Sequence, residues 1–128
     1  MDDLRRTLAS LNPRRRPGEF VVVSGVDARG AVPAASVVED EGVTLVLART
    51  DADDAGVGYD FVAAWITLGV ETRLDAVGLT AVVATALADH GISCNVLAGL
   101  HHDHLLVPVE RAGEAMDVLD GLARSLGA

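Results

Sequence analysis

The sequence predicts an α+β fold: a single antiparallel sheet, ferredoxin-like in its order, with two helices packed on one face. Three observations lead there. Between residues 61 and 126 the apolar pattern alternates between a two-residue and a helical period in the order β-α-β-β-α. Both helical segments carry a full apolar stripe, which is stable only against another layer. Half of the 128 residues are hydrophobic and 3% are aromatic, so the core is built of Val, Leu, Ala and Ile, and disorder is excluded. A compact chain of this length has a radius of gyration of about 14 Å and buries roughly two thirds of its unfolded surface.

The elements follow in chain order. Residues 2–11 read as a short amphipathic helix with Leu4, Leu8 and Leu11 at helical spacing. Asn12-Pro13-Arg14-Arg15-Arg16-Pro17-Gly18 breaks it and reads as a solvated linker, although three adjacent arginines could also grip an anion. Residues 19–26, with Val21, Val22 and Val23, form a strand; 34–40 read as a weak helix; 43–48 alternate as a second strand. Residues 51–56 are an acidic turn or a single helical turn. Asp51, Asp53 and Gly56 suggest a calcium loop, but Val62 stands where a bidentate Glu is needed, which rejects it. Residues 61–74 form a long strand with Val62, Ala64, Ile66, Leu68 and Val70 on one face and Trp65, Thr67, Gly69 and Glu71 on the other. A helix over 78–90 carries Leu79, Val82, Val83, Ala86 and Leu87, and Gly91 ends it. Residues 92–100 form a strand, His101-His102-Asp103 a tight turn, and 104–109 a returning strand. A second helix over 111–126 carries Ala112, Ala115, Met116, Leu119, Ala123 and Leu126. This order lacks the last strand of a ferredoxin-like sheet. The open edge must be filled from the N-terminal half, filled by another subunit, or left bare.

Composition bounds function. The net charge is −9, which argues against nucleic-acid binding through a basic field. All ten basic residues are Arg, from which no chemistry is drawn. No apolar run approaches the roughly 18 residues of a membrane span, and the N-terminus has no signal-peptide core, so a cytoplasmic protein without membrane contact is expected. The single Cys94 excludes an intrachain disulfide and any multi-cysteine metal site; it reads as a small core residue. Neither a nucleophile elbow nor a phosphate-binding glycine loop nor a dinucleotide fingerprint is present, so no catalytic set and no cofactor are expected.

Three places could carry chemistry. The Asp75–Thr80 segment leads from a strand into a helix, whose free N–H groups attract an anion such as a carboxylate; Gly78 allows close approach and Thr80 adds a hydroxyl. It could equally be a plain strand–helix turn. Asn95, mid-strand and opposite Cys94, needs a partner or solvent. His101, His102, Asp103 and His104 could hold zinc or nickel, but strand alternation splays the imidazoles, and a polar hairpin tip explains them as well.

Several runs together resemble a known family. They are Pro17-Gly18-Glu19-Phe20-Val21, Trp65-Ile66-Thr67-Leu68, Ala76-Val77-Gly78-Leu79-Thr80-Ala81 and Gly91-Ile92-Ser93-Cys94-Asn95-Val96-Leu97-Ala98-Gly99, closed by His102-Asp103-His104 and Val107-Pro108-Val109. Over about residues 12–126 the chain resembles the small stand-alone proteins of the ACT-domain superfamily. These pair a truncated N-terminal ACT-like unit with a C-terminal ACT domain. The resemblance implies tandem ACT-like subdomains, an N-terminal one over 1–59 with its leading helix and a C-terminal one over 60–128. It implies a non-catalytic regulatory protein whose effector is an amino acid, bound near a boundary between such domains. Val77, Gly78, Leu79, Thr80, Asn95, His102 and Asp103 are then the ligand-binding residues, with Asp103 at an acidic position near the effector. The alternatives are a metal-binding protein or small enzyme using the His101–His104 turn, or a ligand-free dimerisation module. A homodimer is expected, because Trp65 and Leu97 would leave an apolar patch on the sheet face away from the helices.

Overall fold

The computed structural model describes residues 2–127. The elements are α1 (Asp2–Ala9), β1 (Pro13–Arg15), β2 (Phe20–Ser24), β3 (Ala35–Glu39), β4 (Gly42–Ala48), α2 (Arg49–Asp54), β5 (Val62–Leu68), α3 (Leu79–Asp89), β6 (Asn95–Ala98), β7 (Asp103–Pro108) and, after a 3-10 turn over Val109–Arg111, α4 (Ala112–Gly127). They form two compact units, Met1–Arg16 with Ala64–Ala128, and Pro17–Ala63. The sequence expectation was 1–59, with the leading helix, and 60–128; in the structure the leading helix packs with the C-terminal half, where Leu8 and Leu11 are buried in the core.

In the unit containing residues 64–128, β5 lies between β1 and β7, and β6 lies beyond β7. This is the ferredoxin-like order, and β1 occupies the place of the missing last strand. Pro13, Arg14 and Arg15 pair with Leu68, Thr67 and Ile66. The first part of the linker, with Arg14 and Arg15, is therefore a strand, because an unpaired edge of β5 would leave backbone groups without partners. Arg14 and Arg15 are exposed along it. Ala64, Ile66 and Leu68 of β5 and Leu105 and Val107 of β7 form one apolar face. Leu79, Val83 and Leu87 of α3, Ala112, Ala115 and Leu119 of α4, and Leu8 and Leu11 cover it. The predicted stripes are thus the core; the side chain of Leu126 lies outside the described residues.

The strand expected over 61–74 stops at Leu68. Gly69 donates its N–H to the Asn12 carbonyl at 2.9 Å, and a Cβ on it would stand 2.8 Å from that same oxygen. Beyond it the chain leaves the sheet. Trp65, expected on an open face, is 4% exposed. The Arg16 guanidinium sits 5.0 Å over its ring and its indole N–H donates to Thr67 Oγ1 at 3.1 Å. With Leu97 half-buried, the patch that motivated a dimer on this face is not there.

In the Pro17–Ala63 unit, Val62 and Ala63 pair with Val21 and Phe20, β2 pairs with β4, and β4 pairs with β3. This is the same order, with a loop where the first helix would be. The expected helix over 34–40 is β3. Its adjacent Val37 and Val38 make no helical stripe, whereas the two-residue turn Asp40-Glu41 lets five residues pair with β4. Val21, Val23, Leu47 and Ala52 of α2 form this unit's core. Arg49 clamps α2: its guanidinium donates to Glu19 Oε1 and to the Tyr59 hydroxyl, both at 2.8 Å, and Tyr59 donates to Asp53 at 2.7 Å.

Candidate functional site

Gly78 caps α3 in a left-handed conformation, φ +107°, which a side chain adopts only under strain. A Cβ there would also stand 2.9 Å from Leu4 Cδ2. Gly78 therefore lets α1 close over the start of α3. The first intrahelical bond runs from Val82 N–H to the Gly78 carbonyl at 3.0 Å, so the N–H groups of Leu79, Thr80 and Ala81 have no acceptor within the helix.

Beside this helix start lies a cavity of about 400 Å³, within the usual range for small-molecule sites. α1 supplies Asp3, Leu4 and Thr7. The segment after β5 supplies Glu71, Thr72, Arg73, Asp75, Ala76 and Val77, and α3 supplies Leu79. Its charge is three carboxylates against one guanidinium, and Arg73 is already held by Asp75 in a two-pronged pair at 2.7 and 3.0 Å. The rim thus offers negative charge for a cation, while the positive end of the α3 dipole suits an anion.

The β6–β7 hairpin tip braces the same segment. The His101 carbonyl accepts from Thr72 N–H at 3.4 Å, and His101 Nδ1 lies 3.2 Å from Glu71 Oε1. Leu100 and His101 join residues 71–75 around a second, more open hollow of about 450 Å³. The tip and the 71–79 segment meet within one chain because β5 and β6 run in the same direction and end at the same edge.

Of the residues singled out from sequence, Val77 and Leu79 line the cavity and Gly78 shapes it. Thr80 is exposed in the first turn of α3 and is not part of the lining. His102 and Asp103 lie at the hairpin, Asp103 opposite Ala98, outside both hollows. Asn95 is opposite Leu106 at the far end of β6, and the structure does not bring it to the 77–80 turn. Sequence reading missed Asp3, Leu4, Thr7 and Glu71. The signal was present: Leu4 and Thr7 stand three residues apart in an amphipathic helix that had no assigned partner.

The histidines do not converge. Among the described residues no group of three or more His, Cys, Asp and Glu could hold a metal ion. His104 instead turns to the other face of the sheet, with Nδ1 2.9 Å from Thr67 Oγ1 and 3.3 Å from the Trp65 indole nitrogen. Burial, then His102 and Arg16, hold its imidazole below the ordinary value against the opposing pull of Asp103. Burial raises the Cys94 thiol, as expected of a packing residue. No described helix is long and apolar enough to cross a membrane.

Two ACT-domain family models match in tandem, over residues 1–64 and 61–120. The chain belongs to the ACT-domain family. ACT domains are regulatory small-molecule-binding modules, and the two matches agree with the two ferredoxin-like sheet orders above. A solved Vibrio cholerae protein of unknown function, described as a possible transport protein, is 40% identical over 92% of this chain and 94% of its own, with a TM-score of 0.82. The ligand-free regulatory subunit of aspartate kinase from Thermus thermophilus shares the fold at 12% identity, over 88% of this chain and 97% of its own, with a TM-score of 0.66. Escherichia coli aspartokinase III, solved with aspartate and ADP, does so at 16% identity, over 86% of this chain and 32% of its own, with a TM-score of 0.55. No curated protein matches the chain.

Proposed function

We propose that this ACT protein is a non-catalytic sensor of an amino acid, bound in the cavity between α1 and the start of α3. The cavity carries the reading. It has the volume for a small molecule, an apolar wall in Leu4, Val77 and Leu79, acidic groups for an α-ammonium and a helix N-terminus for an α-carboxylate. A zwitterion matches both ends at once. The regulatory role of the family and the absence of a sequence signature for catalysis support the same conclusion.

A thermal-shift screen over the twenty amino acids, followed by calorimetric titration of the responder, tests it. Gly78→Val is a poor probe, because its φ and its contact with Leu4 make any side chain there a structural change. Val77→Asp is better: Val77 is 88% exposed, so the fold is unchanged while a carboxylate faces the ligand's own. Its affinity should fall at least about tenfold, roughly 1.4 kcal/mol. Silence across the screen favours a ligand-free structural module.

A further inference from the structure

We propose that the groove between the end of α3 and the middle of α4 binds a basic amphipathic helix of another protein. Ala86 of α3 and Val118 and Leu122 of α4 form its half-buried apolar floor, and its volume is about 520 Å³. Val118 and Leu122 stand beside the stripe of Ala112, Ala115 and Leu119 that α4 turns to the core, so they give the same helix a second apolar flank. Asp89 and Asp117 rim the groove and are exposed. Among the described residues neither has an ion-pair partner, whereas Glu114, also on the rim, is held by Arg111 at 2.8 Å. The free charge of the rim is therefore negative.

Gly121 lines the groove from the interior of α4. Glycine is the least favourable residue in a helix interior after proline, and Gly121 is not in the left-handed region that would call for it. A Cβ there would meet only the far end of the Arg124 side chain, at 3.9 Å, an ordinary contact. Packing among the described residues thus has no need of a glycine at this position. A bare stretch of backbone does let a second helix approach closely.

Three features select the occupant. The lining runs along two helices whose main-chain groups are bonded within them, so the groove offers side chains and cannot take an added strand. It extends along α4 from Glu114 to Ser125, about three turns, the contact length of one short helix. Its charge opposes a second copy, because a two-fold contact would set one acidic rim against another. The rim and the net charge of −9 likewise repel nucleic acid and anionic lipid. A helix with leucines at i, i+3, i+4 and i+7, flanked by Lys or Arg, satisfies floor and rim together. This contact does not rest on the amino-acid reading: that cavity adjoins the start of α3, and the groove adjoins its end.

Fluorescence anisotropy tests it, with a labelled leucine–lysine peptide of about five helical turns, its leucines at that spacing, titrated with the whole chain. The wild type should bind it saturably. A peptide of the same composition with its leucines scattered round the helix should bind at least about tenfold more weakly. Asp89→Lys with Asp117→Lys should also weaken binding at least about tenfold. Asp40→Lys with Glu41→Lys makes the same charge change in the other unit and should alter affinity less than about twofold. Gly121→Leu should fill the groove and abolish binding, with thermal unfolding showing a folded chain. All four acidic positions are exposed, so the two lysine pairs decide the matter even if Gly121→Leu does not fold. No saturable binding, equal loss in the two lysine pairs, or unchanged affinity in a folded Gly121→Leu would overturn the proposal. So would a dimeric wild type that Gly121→Leu makes monomeric, since a second copy would then fill the groove.

Discussion

Gly69→Ala probes the feature that completes the fold, the N-terminal segment lying against β5. Gly69 is not in the left-handed region, so alanine suits its backbone, and any cost comes from contact alone. The added Cβ would lie 2.6 Å from the Asn12 amide and 2.8 Å from the Asn12 carbonyl oxygen. A side chain could swing away; a backbone oxygen in a strand connection cannot. Residue 12 must retreat, lengthening the Gly69 N–H to Asn12 bond of 2.9 Å and the Val70 N–H to Leu11 bond of 3.3 Å. Each is worth about 0.5–1.5 kcal/mol. Leu11, fully buried, is pulled partly out of a site worth about 2 kcal/mol. The total is about 2–4 kcal/mol, which for a chain of this size lowers Tm by roughly 6–15 °C. Urea and thermal unfolding measure it, with Gly58→Ala as control: nothing lies within 4 Å of a Cβ there. Asn12→Gly should recover part of the loss by removing the amide. Equal stability of the two alanine variants would show that residues 11–15 do not lie along β5.

Val83→Asp should leave the Met1–Arg16 with Ala64–Ala128 unit unfolded by circular dichroism, because Val83 is 1% exposed and an unpaired carboxylate there costs roughly 4 kcal/mol or more. His104 makes stability depend on pH. Its folded value lies below the ordinary 6.5, so as pH falls through 6.5 the unfolded chain binds a proton before the folded chain does. The urea midpoint should therefore fall as the pH is lowered from about 7.5 to about 5.5. His104→Gln should flatten that slope, and an unchanged slope would place the titrating group elsewhere.

The helices and core were legible because period and residue type agree: Leu79, Val83 and Leu87, or Ala112, Ala115 and Leu119, can face only one way in a helix. The strand over 62–68 was legible for the same reason. β1 was not. Pro13-Arg14-Arg15 has no intrinsic strand signal, and only the unfilled edge of β5, a tertiary demand, turns it into one. β3 was missed because two adjacent valines fit neither period cleanly and the turn at Asp40-Glu41 decides the matter. The candidate site was half legible. A helix start with glycine is a local pattern, so Val77, Gly78 and Leu79 were found; Asp3, Leu4, Thr7 and Glu71 reach it only through packing. Asn95 was singled out for its mid-strand polarity and Asp103 as part of a polar turn, with the resemblance adding their role toward an effector; neither lines the cavity.

The most direct test of the account is a backbone NMR titration of the labelled protein with the amino acid that raises its melting temperature. Saturable shifts should concentrate at Leu4, Thr7, Thr72, Val77, Gly78 and Leu79, with little change at Asn95. Shifts centred on Asn95 or on the His104–Thr67 face, or no saturable shift with any of the twenty, would contradict it.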